Sequence, residues 1–229
     1  MSQKNARFTD EDANAYFARN YGRAEDRGPL PQALEQRLTT MLARLPFTPR
    51  CVLEAGCCFG RNLEFYRVKL DAECFGLDMS EKAVNEGKIL YPNLDLRVGD
   101  ACAMPYEDDM FDMVVLGFFL CYLDPSVLFR VASEVNRVLC NDGIIVLHDF
   151  DSPFPFRNSF KHKPGLYMHK LDFRGMFLWN PAYSLIEIQA LSVEGNTFTK
   201  SVNDRVSYSI LYKASLDDSS IVTNPFGEV

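Results

Sequence analysis

Six residues within the first hundred positions have the types and spacing to hold a charged nucleoside-like ligand. Glu54, Gly56, Cys58 and Gly60 fall in the stretch Val52-Leu53-Glu54-Ala55-Gly56-Cys57-Cys58-Phe59-Gly60, and Asp78 and Asp100 follow. The apolar run Cys51-Val52-Leu53 predicts a buried strand, the glycines a tight loop, and Arg61-Asn62-Leu63-Glu64-Phe65-Tyr66 a helix. Strand, glycine loop and helix in that order make a nucleotide-type cradle. Glycine accepts positive φ and lets a ligand approach the main chain. The helix start adds unpaired N–H groups and a partial positive charge. A dinucleotide signature would read G-x-G-x-x-G; here the spacing is Gly56-x-Cys58-x-Gly60. Glu54 would repel a pyrophosphate but suits a ligand carrying an ammonium group. Asp78, at the end of the next strand, can accept both hydroxyls of a ribose, which also fits a nicotinamide dinucleotide. His148, His162, His169 and Tyr122 are the groups placed to act as a general base.

A cationic ligand with an adenosine half points to S-adenosylmethionine. At these residues the chain resembles the class I S-adenosylmethionine-dependent methyltransferases, whose first motif is commonly (Asp/Glu)-x-Gly-x-Gly-x-Gly. Cys58 stands in place of the middle glycine, a mild departure if its φ is negative and a larger one if positive φ is needed. The resemblance implies S-adenosylmethionine as cofactor and S-adenosylhomocysteine as product. It also implies that Asp100 accepts the adenine amino group and that the Ala101 N–H donates to the ring. Phe111-Asp112-x-Val114 matches the family's lead into its fourth strand, and Gly117-Phe118-Phe119 should line the cofactor, with Phe118 in contact. Met79 completes the set beside Asp78, and Tyr21 and Arg23 are expected to close over the cofactor from an N-terminal flap. Methyl transfer of this kind is an in-line displacement, and alignment alone can supply about 7–11 kcal/mol of its acceleration.

Composition narrows the acceptor. The chain has 229 residues, 47% of them hydrophobic and 24% charged, with a net charge of −7. That size is most simply one domain, and that charge argues against broad nucleic-acid or anionic-membrane binding. The seven cysteines form no C-x-x-C pair and fall mostly in apolar patterns; reduced, buried thiols in a cytoplasmic protein are expected, with no metal site. The first residues lack an apolar signal core, and no run approaches the length of a membrane span. The place after the fourth strand reads Gly117-Phe118-Phe119-Leu120 rather than the (Asp/Asn)-Pro-Pro-(Tyr/Phe) of DNA amino-methyltransferases, and no Pro-Cys pair supports cytosine chemistry. Between 152 and 182, Arg157, Lys161, Lys163, Lys170 and Arg174 face one acid, Asp172. The expected acceptor is a small, anionic metabolite gripped by these cations. The rival readings are a methyltransferase acting on a protein partner, a non-catalytic S-adenosylmethionine-binding protein, and a nicotinamide-dependent oxidoreductase. Oligomeric state is left open.

The elements that must position these residues alternate. Thr9 caps a helix running to about Asn20, and a second runs from about Pro31 to Leu45 on an apolar face of Leu34, Leu38, Met41, Leu42 and Leu45. Strands follow at Cys51–Leu53, Glu73–Asp78, Leu94–Val98, Met113–Gly117 and Ile144–Leu147, with Ser80 capping one intervening helix and Asp124-Pro125 opening another that Asn141-Asp142-Gly143 closes. Five strand–helix alternations predict an α/β, Rossmann-like doubly wound sheet with helices on both faces. The last strands, Tyr183–Val193 and Arg205–Tyr212, form a hairpin around Gly195-Asn196. The resemblance implies about seven strands with the last antiparallel. The expected organisation is a single domain: a helical flap (1–49), a cofactor-binding core (50–150), a substrate-side insert (151–182), and a closing hairpin and tail (183–229).

Overall fold

The capping residues set where the helices begin. In the computed structural model, which describes residues 7–195 and 197–215, helix α1 spans Asp10–Tyr21. Its capping box is complete: the Thr9 N–H donates to Asp12 Oδ2 at 3.0 Å while the Asp12 N–H donates to Thr9 Oγ1 at 3.4 Å. Helix α2 (Gln32–Leu42) buries Leu38 and Met41, and stops three residues earlier than its apolar pattern suggests. Strand β1 (Cys51–Ala55), helix α3 (Arg61–Leu70), strand β2 (Glu73–Asp78) and helix α4 (Glu81–Leu90) follow. Ser80 caps α4 by accepting the Ala83 N–H at 3.1 Å. Strands β3 (Asp95–Val98) and β4 (Phe111–Gly117), helix α5 (Leu128–Val138) and strand β5 (Leu139–Phe150) complete the alternating part.

The sheet has seven strands in the order β3-β2-β1-β4-β5-β9-β8, where β8 is Tyr183–Ser192 and β9 is Arg205–Lys213. Strands β1 to β5 pair in parallel, and β9 inserts antiparallel between β5 and β8. This is the Rossmann-like, doubly wound arrangement expected. Strand order reverses between β1 and β4, so a crevice opens there beyond their carboxyl ends.

Two parts differ from expectation. Asn141-Asp142-Gly143 does not close a helix. The chain leaves α5 at Val138 and enters β5 at once, and the three residues fill a bulge between the pairs Phe111–Leu139 and Met113–Ile144. Asp142 takes φ 63° there, the left-handed conformation its short polar side chain tolerates. The insert is also more regular than its composition suggests: β6 (Phe156–Ser159) pairs antiparallel with β7 (Tyr167–Lys170), and a short helix α6 (Gly175–Leu178) follows.

Register places side chains on the sheet faces. Glu54, Val115, Val146 and Ile210 are cross-strand neighbours in one row, and Gly117, His148 and Tyr208 in the next row on the same face. All seven cysteines are unpaired. Burial pushes the thiols of Cys57, Cys58 and Cys121 up, and leaves Cys51 near 11 and Cys74 near 12.

Candidate active site

A cavity of about 590 Å³ opens at the β1/β4 reversal and runs along the Glu54 face of the sheet. Its floor is the loop between β1 and α3. Gly56, Cys58 and Gly60 all have positive φ, at 76°, 52° and 83°. The Gly56 N–H donates to the Leu77 carbonyl at 2.8 Å, and a Cβ at Gly56 would stand 2.6 Å from Cβ of Phe119. Cys58 thus holds the left-handed conformation for which the family motif has glycine, at a cost of roughly 1–2 kcal/mol. What holds it is Asp78: the Cys58 N–H donates to Asp78 Oδ2 at 2.8 Å and the Ser80 N–H to Oδ1 at 2.7 Å. Each carboxylate oxygen keeps a second lone pair for a ligand. Burial raises the Asp78 pKa, with these two N–H groups pulling it back.

Glu54 is 1% exposed. Its Oε1 accepts from Asn62 Nδ2 at 3.1 Å, and its Oε2 is buried with no partner. Burial pushes the carboxyl up to about 8, with Asn62 opposing the rise and the Asp78 charge adding to it. An orphaned carboxylate oxygen beside a loop that admits close backbone approach is what an ammonium-bearing ligand requires. The cradle fits S-adenosylmethionine on this ground.

The roof is α1. Asn14 Oδ1 accepts the Ser80 hydroxyl and the Lys82 N–H, each at 3.0 Å, pinning α1 over the start of α4. Tyr21 lines the cavity with the Arg61 guanidinium 5.5 Å from its ring centre. Arg23 instead pairs with Asp26 at 3.0 Å, out in solvent. From the insert, Lys163 Nζ reaches Asp12 Oδ2 at 2.6 Å and ties the hairpin to α1.

Of the residues singled out in the sequence, Glu54, Gly56, Cys58, Asp78, Phe118, Tyr21, His148 and Tyr122 meet around this cavity. Gly60, Met79, Asp100, Ala101, His162 and His169 are not part of its wall. Gly60 lies under the loop at the head of α3, packed against Leu94 and Leu96. Asp100 is exposed, with its Oδ1 accepting the Cys102 N–H at 2.8 Å. His162 is exposed, and His169 is half-buried on β7. Tyr122 packs on Phe8, Tyr16 and Phe160, and burial raises its pKa, so it stays protonated. The expected cationic grip is not built: none of the five insert cations lines the cavity. Lys163 is taken by Asp12 and Arg174 by Asp151 and Asp172. Lys170 donates to Asn203, Arg157 sits over the Tyr167 ring, and Lys161 is exposed.

Sequence reasoning passes over Arg37, Asn62, Tyr66 and Tyr208, which also line the cavity. Arg37 Nη1 donates to the Tyr208 hydroxyl at 3.2 Å and Nη2 to the Gly195 carbonyl at 3.1 Å. Tyr208 stacks on His148 at 3.6 Å between ring centres. No pattern near positions 37 or 208 announces this; the contact exists because β9 inserts beside β5. Among the described residues, no group of three His, Cys, Asp or Glu could hold a metal ion, and no helix is long and apolar enough to cross a membrane.

Comparison with known proteins bears on the domain that carries this cavity. Residues 53–147 match the family described as a methyltransferase domain. An uncharacterised methyltransferase of Synechocystis sp. is 29% identical over 157 residues, 69% of this chain and 66% of the relative. A demethylmenaquinone methyltransferase of Staphylococcus haemolyticus is 39% identical over 84 residues, 35% of this chain and 34% of the relative. The chain thus spans just under two thirds of the first relative and about a third of the second. Among solved structures, a SAM-dependent methyltransferase of Methanosarcina mazei superimposes with a TM-score of 0.63 at 17% identity, over 76% of this chain and 97% of that one. With the sheet order, the loop and its two carboxylates, these matches show a Rossmann-like methyltransferase domain over residues 53–147, similar to the S-adenosylmethionine-dependent methyltransferases.

Proposed function

We propose that the protein transfers a methyl group from S-adenosylmethionine to a small-molecule acceptor by in-line displacement. The observation that carries this reading is the buried, unpartnered Oε2 of Glu54 facing a loop whose backbone Asp78 holds open. In this reading Glu54 holds the ammonium group, Asp78 the ribose hydroxyls, and the Gly56–Cys58 backbone the chain between them. The bound cofactor supplies an activated methyl on a sulfonium. The protein's part is alignment and exclusion of water beneath α1. A cavity of about 590 Å³ roofed by α1 favours a small acceptor over a protein partner. An anionic group on that acceptor would meet Arg37 at the cavity wall, not the insert. Seven unpaired cysteines favour a reducing compartment such as the cytoplasm.

The test is calorimetric titration with S-adenosylmethionine and S-adenosylhomocysteine, with NAD as control. Micromolar binding of the first two that is lost in Asp78→Ala supports the reading. Binding of NAD alone, or of none of the three, overturns it.

A further inference from the structure

The cavity continues past the cofactor loop along the sheet face. Two strand spacings and one pleat repeat separate the Cα atoms of Glu54 and His148 by roughly 12 Å. Gly117 lies between them, and a Cβ there would meet a single atom within 4 Å, Glu54 Oε1 at 3.6 Å. The sheet therefore leaves open space between the carboxylate and the imidazole. One ligand anchored at Glu54 and another at His148 can meet over Gly117.

The far end has its own chemistry. His148 is fixed by the Tyr208 stack and by Phe118, whose ring centre lies 4.3 Å away edge-on. Its Nε2 is buried with no partner. Among the described residues no hydrogen bond holds Nδ1 either, and the ring lines the cavity. A buried bare nitrogen is less costly than a buried orphan N–H, so the favoured tautomer carries its proton on Nδ1. Burial holds the imidazole well below its usual pKa, and the Arg37 charge lowers it further. A neutral imidazole beside an arginine is a poor proton acceptor and a good donor to an anion. Leu34 and Leu38 of α2, and Val115 and Val146 of the sheet, add apolar wall, and Glu194 is a further charged group of the lining.

We infer that this end of the cavity is the acceptor subsite, and that it takes an apolar-bodied molecule carrying one ionised hydroxyl, of phenol or enol type, held by the His148 imidazole N–H. The inference rests on the proposed S-adenosylmethionine site at Glu54. The acceptor loses its proton to solvent before it binds, so no base is required. A lone pair of the oxygen forms the new O–C bond, the methyl–sulfur bond breaks, and its electron pair stays on sulfur. One negative and one positive charge disappear together.

The probe is 4-nitrophenol, whose ionised form is yellow and whose protonated form is not. It is titrated at mildly acidic pH into protein saturated with S-adenosylhomocysteine, while calorimetry follows S-adenosylhomocysteine itself. Expected is a rise in phenolate absorbance on binding. His148→Phe, which keeps the ring stack, and Gly117→Val, which fills the space, should each weaken it about 10–100-fold. S-adenosylhomocysteine affinity should stay within about twofold in His148→Phe, which also reports that this variant is folded. His148→Gln should restore part of the loss. Phenol that binds without colour, binds His148→Phe as tightly as wild type, or is displaced by S-adenosylhomocysteine overturns the subsite alone. Failure of S-adenosylhomocysteine to bind wild type overturns the cofactor site and this inference with it.

Discussion

Glu54 sets a cost that can be measured without any substrate. Its carboxyl rises from 4.5 to about 8 because the fold buries it with one oxygen unpartnered. In the empty protein the ionised form is therefore disfavoured by up to about 5 kcal/mol relative to the unfolded chain. A raised carboxyl pKa fixes the sign. Its contribution to stability is fully present below pH 4.5 and is lost as pH rises through 8, because the unfolded chain releases the proton first. Within that window the fold loses up to about 1.4 kcal/mol per pH unit from this residue. Glu54→Gln carries no such titration and keeps an amide beside Asn62. Urea denaturation of both proteins at steps from pH 5 to pH 8 should show the variant gaining on wild type, by up to about 4 kcal/mol across the range. Ligand binding should run the other way. S-adenosylmethionine should bind wild type with release of one proton below about pH 8, tightening up to about tenfold per pH unit, and Glu54→Gln should lose that acid limb along with affinity. A stability difference between the two proteins that stays flat from pH 5 to pH 8 would show Glu54 ionised throughout, and the account of the site would fail.

The loop and its surroundings give further expectations. Cys58→Gly relieves the strain at φ 52° and should hold or raise the melting temperature with cofactor affinity retained, whereas Cys58→Val, β-branched in the same conformation, should lower it by at least several degrees. Gly60→Ala adds a Cβ 2.9 Å from Leu94 Cδ1 at φ 83° and should cost about 2–4 kcal/mol by denaturant titration. Lys163→Ala removes a partly exposed ion pair to Asp12 and should cost under about 1 kcal/mol. The same variant should nonetheless speed hydrogen exchange of the α1 amides, since the tie between roof and insert is gone.

The loop end of the cavity was legible in part, because local chemistry and global fold agree there. Carboxylates at the ends of β1 and β2, glycines in the loop between β1 and α3, and caps at Thr9 and Ser80 each act on near neighbours in sequence. The far end of the cavity was legible only at His148, for two physical reasons. His148, Tyr208 and Arg37 lie on β5, β9 and α2, and their contact depends on the antiparallel insertion of β9. The insert's cations suggest a ligand grip by composition alone, but tertiary structure gives most of them to Asp12, Asp151, Asp172, Asn203 and an aromatic ring. Asn141-Asp142-Gly143 shows the same override, with helix-stop chemistry used for a bulge inside a strand.

The cysteines carry a practical consequence. Every one of the seven thiols is pushed above its ordinary pKa by burial, so at neutral pH the folded chain offers almost no thiolate to an alkylating reagent. An unfolded molecule offers all seven at once. Mass spectra of briefly alkylated samples should therefore divide into unlabelled and fully labelled species, and their ratio would count open molecules directly in a crude lysate, with no purification and no engineered reporter.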